Sequence, residues 1–204
     1  LTYTDNTFGG YTSPTAPGTY LDYGGVAFMT TNDITVTATV METLTFCTSK
    51  TAPGTGCSGA SAASLVLGTG SPKALSTTAP ILGTSTDTAY AQVSTNATSG
   101  AVINLKAVSS TCAGLNNNTD ATCEIAAKGA YGAIAANAGQ FGVNVSRVAG
   151  GTGTVVLSTN YGNETTGTAE NNYGMGAGAT STYGDQIASV TGPAADKNIL
   201  LTYA

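Results

Sequence analysis

From Ile34 to Phe46 the chain reads ITVTATVMETLTF, and Ile34, Val36, Ala38, Val40, Leu44 and Phe46 fall on one face while threonine fills most of the other. A period of two over thirteen residues fits a half-buried β-strand and no helix. Glu42 occupies the apolar register, so it belongs at a bend, at a sheet rim or against a partner. The rest of the sequence agrees with strands. There are 37 threonines, 27 glycines and 10 tyrosines, residues that favour short strands and turns over helices.

Shorter alternating stretches recur. AYAQVSTNATSGAVINLKAVS predicts two strands joined by a hairpin turn at Asn96–Gly100, and FGVNVSRV, TGTVVLSTNY, QIASV and the closing NILLTYA read as further strands. CEIAAKGAYGAIAANAGQ, residues 123–140, is Ala-rich but interrupted by Gly129 and Gly132, which predicts a short irregular helix or a packed loop. About eight short strands without alternating helices predict an all-β fold, an antiparallel two-sheet sandwich of Ig-like or jelly-roll type. No repeat of fixed period points to a solenoid. The expected organisation is an extended N-terminal arm over residues 1–33 and one β-sandwich domain over 34–204. The arm combines Pro14, Pro17 and several glycines with Tyr3, Phe8, Tyr11, Tyr20 and Tyr23, aromatic area suited to a contact with another molecule.

Four cysteines form two local pairs, Cys47 with Cys57 and Cys112 with Cys123. Separations of ten and eleven positions lack the tight knuckles of a zinc site and suit two disulfide-closed loops. Disulfides imply an oxidising place, so the chain reads as secreted, extracellular or on a cell surface. It opens at Leu1 without a basic-then-apolar leader, which reads as a mature, processed and soluble chain with no membrane span.

The chemistry of the chain is sparse. With no histidine, triads built on imidazole are excluded, and 11 acidic against 6 basic residues leave no basic stripe for nucleic acid. The acids are scattered singly, giving no paired-carboxylate site, and Asp22, Asp33, Asp87, Asp120 and Asp185 read as turn and cap residues rather than calcium ligands. The expectation is a non-enzyme with no catalytic residue, metal or cofactor. Asn-x-Ser/Thr sequons make Asn96, Asn117, Asn144 and Asn163 candidate glycan acceptors.

Three pieces together, ITVTATV leading to a cysteine, LVLGTGSPKALST and VSTNATSGAVINLKA, resemble the secreted β-sandwich subunits of bacterial surfaces. That group includes fimbrial and pilus subunits, spore-coat-type fimbrial relatives and surface-layer-like proteins. The resemblance spans Ile34 to Ala107, and neither the second cysteine pair nor the tyrosine-rich arm belongs to it. It implies a structural subunit of an extracellular filament, pilus or coat, a homopolymer in which one copy gives a strand to the next. The arm within Leu1–Phe28 is the expected donor and NILLTYA its rival. The alternative is an adhesin or lectin-like module making glycan or host-surface contacts through the Tyr- and Asn-rich stretch Gly162–Gly184.

Overall fold

The computed structural model describes residues 39–71, 73–75, 77–78, 80–81, 86–116, 122–162 and 171–204, together with two short strands nearer the N-terminus. The chain divides into two compact units, Leu1–Val40 and Met41–Ala204. In the first, β1 (Thr2–Tyr3) and β2 (Asp22–Tyr23) pair antiparallel.

The second unit carries β3 (Leu44–Ser49), β4 (Asp87–Thr95), β5 (Ala101–Leu105), β6 (Ala126–Ala127), β7 (Gly129–Gly132), β8 (Gln140–Phe141), β9 (Val143–Arg147), β10 (Val155–Leu157), β11 (Tyr173–Met175), β12 (Asp185–Val190) and β13 (Ala194–Tyr203). Six of them form an antiparallel sheet in the order β3-β4-β13-β9-β11-β7, and three form a smaller one in the order β10-β12-β5. A small parallel pair, β6 with β8, completes the set. The fold is an all-β sandwich, as the alternating pattern predicts. Val93, Val143, Val145, Ile199 and Leu201 meet Ile103, Val155, Leu157, Ile187 and Val190 in one apolar core.

Three local expectations are corrected. The Ala-rich stretch 123–140 contains β6, β7 and the start of β8, with no helix among its residues, because its glycines withhold helix propensity and its apolar residues find sheet neighbours. Asn96–Gly100 is not a hairpin turn: β4 pairs with β3 and β13 while β5 pairs with β12, so the connection carries the chain from one sheet to the other. Of the strand expected over Ile34–Phe46, Thr39–Thr43 are corrected, since they have no strand pairing and β3 starts at Leu44, while Ile34–Ala38 lie outside the described residues.

Both local disulfides are formed, Cys47–Cys57 with Cα atoms 6.2 Å apart and Cys112–Cys123 with Cα atoms 5.5 Å apart. They place the chain in a non-reducing environment. Among the described residues no helix is long and apolar enough to cross a membrane.

Buried phenols give the core a pH signature. Tyr161 is fully enclosed, its hydroxyl donating to Asp185 Oδ2 at 2.9 Å and accepting from the Gly176 amide at 3.1 Å. Burial, reinforced by the Asp185 carboxylate, pushes its phenol far above the ordinary tyrosine range, and burial also raises Tyr173 and Tyr203. Above pH 10 the unfolded chain releases these protons while the folded chain keeps them, so stability is full below that pH and falls as pH rises. Urea unfolding at pH 11 against pH 8 should show a loss of about 1 kcal/mol for each phenol that stays protonated, and Tyr161→Phe should shrink it. An unchanged midpoint would contradict this account of the core.

Candidate functional site

Sandwich geometry follows from how the strands switch sheets. β4 crosses to β5 through Asn96–Gly100, β12 crosses to β13 through Thr191–Pro193, and β10 packs against β9. By these connections the small sheet stands over β9, β13 and β4, and among the described residues no strand is placed opposite β3.

The inward face of that projecting strand is apolar. Phe46 is the register partner of the core residue Val93, so Phe46 and its i−2 neighbour Leu44 point to the inner side of the sheet. Yet Leu44 is 63% exposed and Phe46 50%. Across the gap lies β5, which among the described residues pairs with β12 alone. Its Ala101, Ile103 and Leu105 face the core, and Val102 faces outward. Neither β3 nor β5 contains a charge or a proline, the usual protection of a sheet edge.

The outer side of β3 is tightly fastened. Gln92 on β4 is buried, its Nε2 donating to the Gly54 carbonyl at 3.0 Å and its Oε1 accepting from the Cys57 amide at 2.7 Å. Asp196 Oδ1 accepts from the Gly56 amide at 2.8 Å. These contacts and the Cys47–Cys57 bond hold the loop after β3 flat against the sheet. Beyond the strand, Lys50 forms an ion pair with Asp87, whose carboxylate also accepts from the amides of Val66 at 2.7 Å and Thr88 at 2.8 Å. Burial pushes the Asp87 carboxyl up, but these hydrogen bonds and the Lys50 charge outweigh it and hold the group below the usual carboxylate value.

The chain enters β3 under the control of Asn96. Its Oδ1 accepts from the Thr43 amide at 2.7 Å and its Nδ2 donates to the Met41 carbonyl at 3.0 Å, while Thr95 Oγ1 donates to the Thr43 carbonyl at 2.9 Å. Met41–Thr43 thus continues the line of β3 past the end of β4. Glu42 sits in this bracketed stretch, exposed at the sheet rim, which is one of the places its position in the apolar register allows.

The remaining candidate residues are dispersed. Tyr3 and Tyr23 lie in β1 and β2, and Phe8, Tyr11 and Tyr20 lie outside the described residues, as do Asn117 and Asn163. Asn96 is exposed but engaged as the bracket. Asn144 is corrected as a glycan acceptor: it is fully buried in β9, its Nδ2 donating to Tyr131 Oη at 2.9 Å and to the Asn172 carbonyl at 2.8 Å, which leaves no room for a sugar in the folded chain. Of the stretch suggested for glycan contact, Tyr173 is in the core and Tyr183 is exposed. Among the described residues no group of three or more acidic or cysteine side chains is placed to hold a metal. Sequence reading missed the β5 edge and the Asn96 bracket; the only signal was the abrupt join of two alternating runs at Asn96–Gly100.

No family model, curated protein or solved structure matches this chain.

Proposed function

We propose that this chain is a structural subunit of an extracellular filament, pilus or coat, assembled by β-strand addition between copies. The observation that carries the reading is an apolar shelf on β3, Leu44 and Phe46, together with an uncharged edge on β5, which among the described residues pairs with β12 alone. A strand arriving there gains main-chain hydrogen bonds and covers apolar side chains at every second position. Two disulfides and a low content of charged residues, 8%, suit an assembly that lasts outside the cell. The segment donated is N-terminal, with Tyr3, Phe8, Tyr11, Tyr20 and Tyr23 as anchoring aromatic area. The rival donor is disfavoured because NILLTYA lies in β13 between β4 and β9, with Ile199 and Leu201 in the core, so removing it would open its own sheet.

Electron microscopy of the purified protein should show ordered polymers without added ligand. Removing Leu1–Val40 should abolish them while the sandwich unit keeps its β-sheet circular dichroism and cooperative unfolding. A monodisperse monomer at every concentration, or polymers from the shortened chain, would overturn the reading. A monomer that instead binds a glycan array would favour the adhesin alternative.

A further inference from the structure

β9, β10 and β13 border a cleft of about 300 Å³, walled by Arg147, Gly153, Thr154, Val155, Val156 and Lys197. None of these strands carries the shelf of Leu44 and Phe46. Two of the six basic residues of an acidic chain meet here, and none of the six wall residues is acidic.

The strand register sets both cations on the inner side of the large sheet. Lys197 is the partner of Val93 and Arg147 the partner of Ile199, both partners being core residues, and side chains paired across a ladder share a face. Arg147 and Lys197 thus continue the inward rows of Val143 with Val145 and of Leu201 with Ile199 past the end of the core. They are diagonal neighbours on adjacent strands, about 7 Å apart. Like charges at that spacing repel each other, and an anion placed between them is attracted by both. The acid next to them in sequence, Asp196, is spent elsewhere: its carboxylate accepts from the Gly56 amide at 2.8 Å, on the outer side of the sheet. The Lys197 ammonium donates to the uncharged Gly150 carbonyl at 2.9 Å, which fixes the side chain and leaves its charge in place.

The backbone leading into β10 is held rigidly. Thr152 and Ala195 exchange amide-to-carbonyl bonds of 2.8 and 3.2 Å. Gly151, at φ +65°, lies so close to β13 that a Cβ there would meet the carbonyl oxygens of Ala195 and Asp196 at 2.5 Å. This loop is clamped onto the register shift of β13 between Ala194 and Lys197, and it leads directly into Thr154, Val155 and Val156. Val155 is buried and Val156 is 37% exposed, so the cleft has an apolar flank beside its two charges.

We propose that this cleft binds the carboxylate of a small organic acid. The Arg147 guanidinium offers paired planar donors matched to a carboxylate, Lys197 adds a second positive charge, and the valine flank covers a carbon skeleton. The volume is that of a small ligand pocket rather than of a single inorganic ion.

Titration calorimetry on the full chain, with cyclohexanecarboxylate, its neutral carboxamide and inorganic sulfate as probes, tests the assignment. The carboxylate should bind at one site per chain in the millimolar range or tighter, and at least tenfold more tightly than either of the others. Arg147→Gln and Lys197→Gln should each weaken it at least tenfold at an unchanged urea midpoint, and Arg147→Lys should fall between, because it keeps the charge and loses the planar fork. Lys128→Gln, outside the cleft, should change nothing. If Arg147→Gln does not fold, Lys197→Gln alone carries the test. Equal affinity for the carboxamide would remove the role of the cation pair, and equal affinity for sulfate would remove that of the apolar flank. Absence of carboxylate binding, or binding that both glutamine variants retain, would overturn the site.

Discussion

Replacing Gly100 by valine should destabilise the sandwich unit by about 3 kcal/mol or more, read as a fall in the urea midpoint. Gly100 has φ +75°, a left-handed conformation that a β-branched residue adopts only with strain. A Cβ at this position would also run into the carbonyl oxygen and carbon of Val190. Those atoms have little freedom to yield, because Val190 is buried in β12, the middle strand of the small sheet, where its register partners are Ala101 on one side and Val155 on the other. The Gly100 amide donates to the Ala97 carbonyl at 3.0 Å, which closes the arch against the core. Gly100→Ala should fall between, keeping the backbone strain and the first contact but losing less to packing. A loss under about 1 kcal/mol for valine would mean that the arch relaxes freely around this position.

The same arch marks where sequence reading stopped short. Ala89, Ala91 and Val93 alternate with Tyr90 and Gln92, and Ile103 alternates with Val102 and Asn104, so both strands and their inward faces were legible from period alone. Asn96–Gly100 between them has the composition of a hairpin turn. Composition reports that the chain reverses; it does not report whether the second strand pairs beside the first or crosses to stand over it, which long-range pairing with β12 and β13 decides. Stretch 123–140 failed for a related reason, since alanine and glycine carry little side-chain periodicity and the short strands there are specified by neighbours such as Tyr173 and Gly174. The local disulfides were legible because two loops of similar size are closed by neighbouring cysteines. The exposed inner face of β3 was not, because uncovered apolar positions alternate in sequence just as covered ones do. Leu44 and Phe46 look like ordinary core residues in sequence, and only their exposure in the folded chain distinguishes them.

Removing the Cys47–Cys57 bond by a double serine substitution should cost about 3 kcal/mol, the chain-entropy value for a loop of this size. The equivalent change at Cys112 and Cys123, closing a loop one residue longer, should cost nearly the same. The two should part company in assembly. Cys47 lies in β3 itself, and its bond ties the strand that carries Leu44 and Phe46 to the loop held by Gln92 and Asp196. Without it the outermost strand is held by β4 and, at its far end, by the Ser49–Ser61 contacts, on a sheet edge where local opening is least expensive. The shelf then loses its fixed position opposite β5, and a docking strand must restore that order when it binds. Cys112–Cys123 sits outside β3 and β5, so its loss should leave the shelf in place. Polymer yield at a temperature where both variants remain folded separates the cases. Loss of assembly confined to the Cys47–Cys57 variant supports a preformed shelf as the acceptor, whereas equal loss in both would reduce the disulfides to general stabilisers and detach the shelf from assembly.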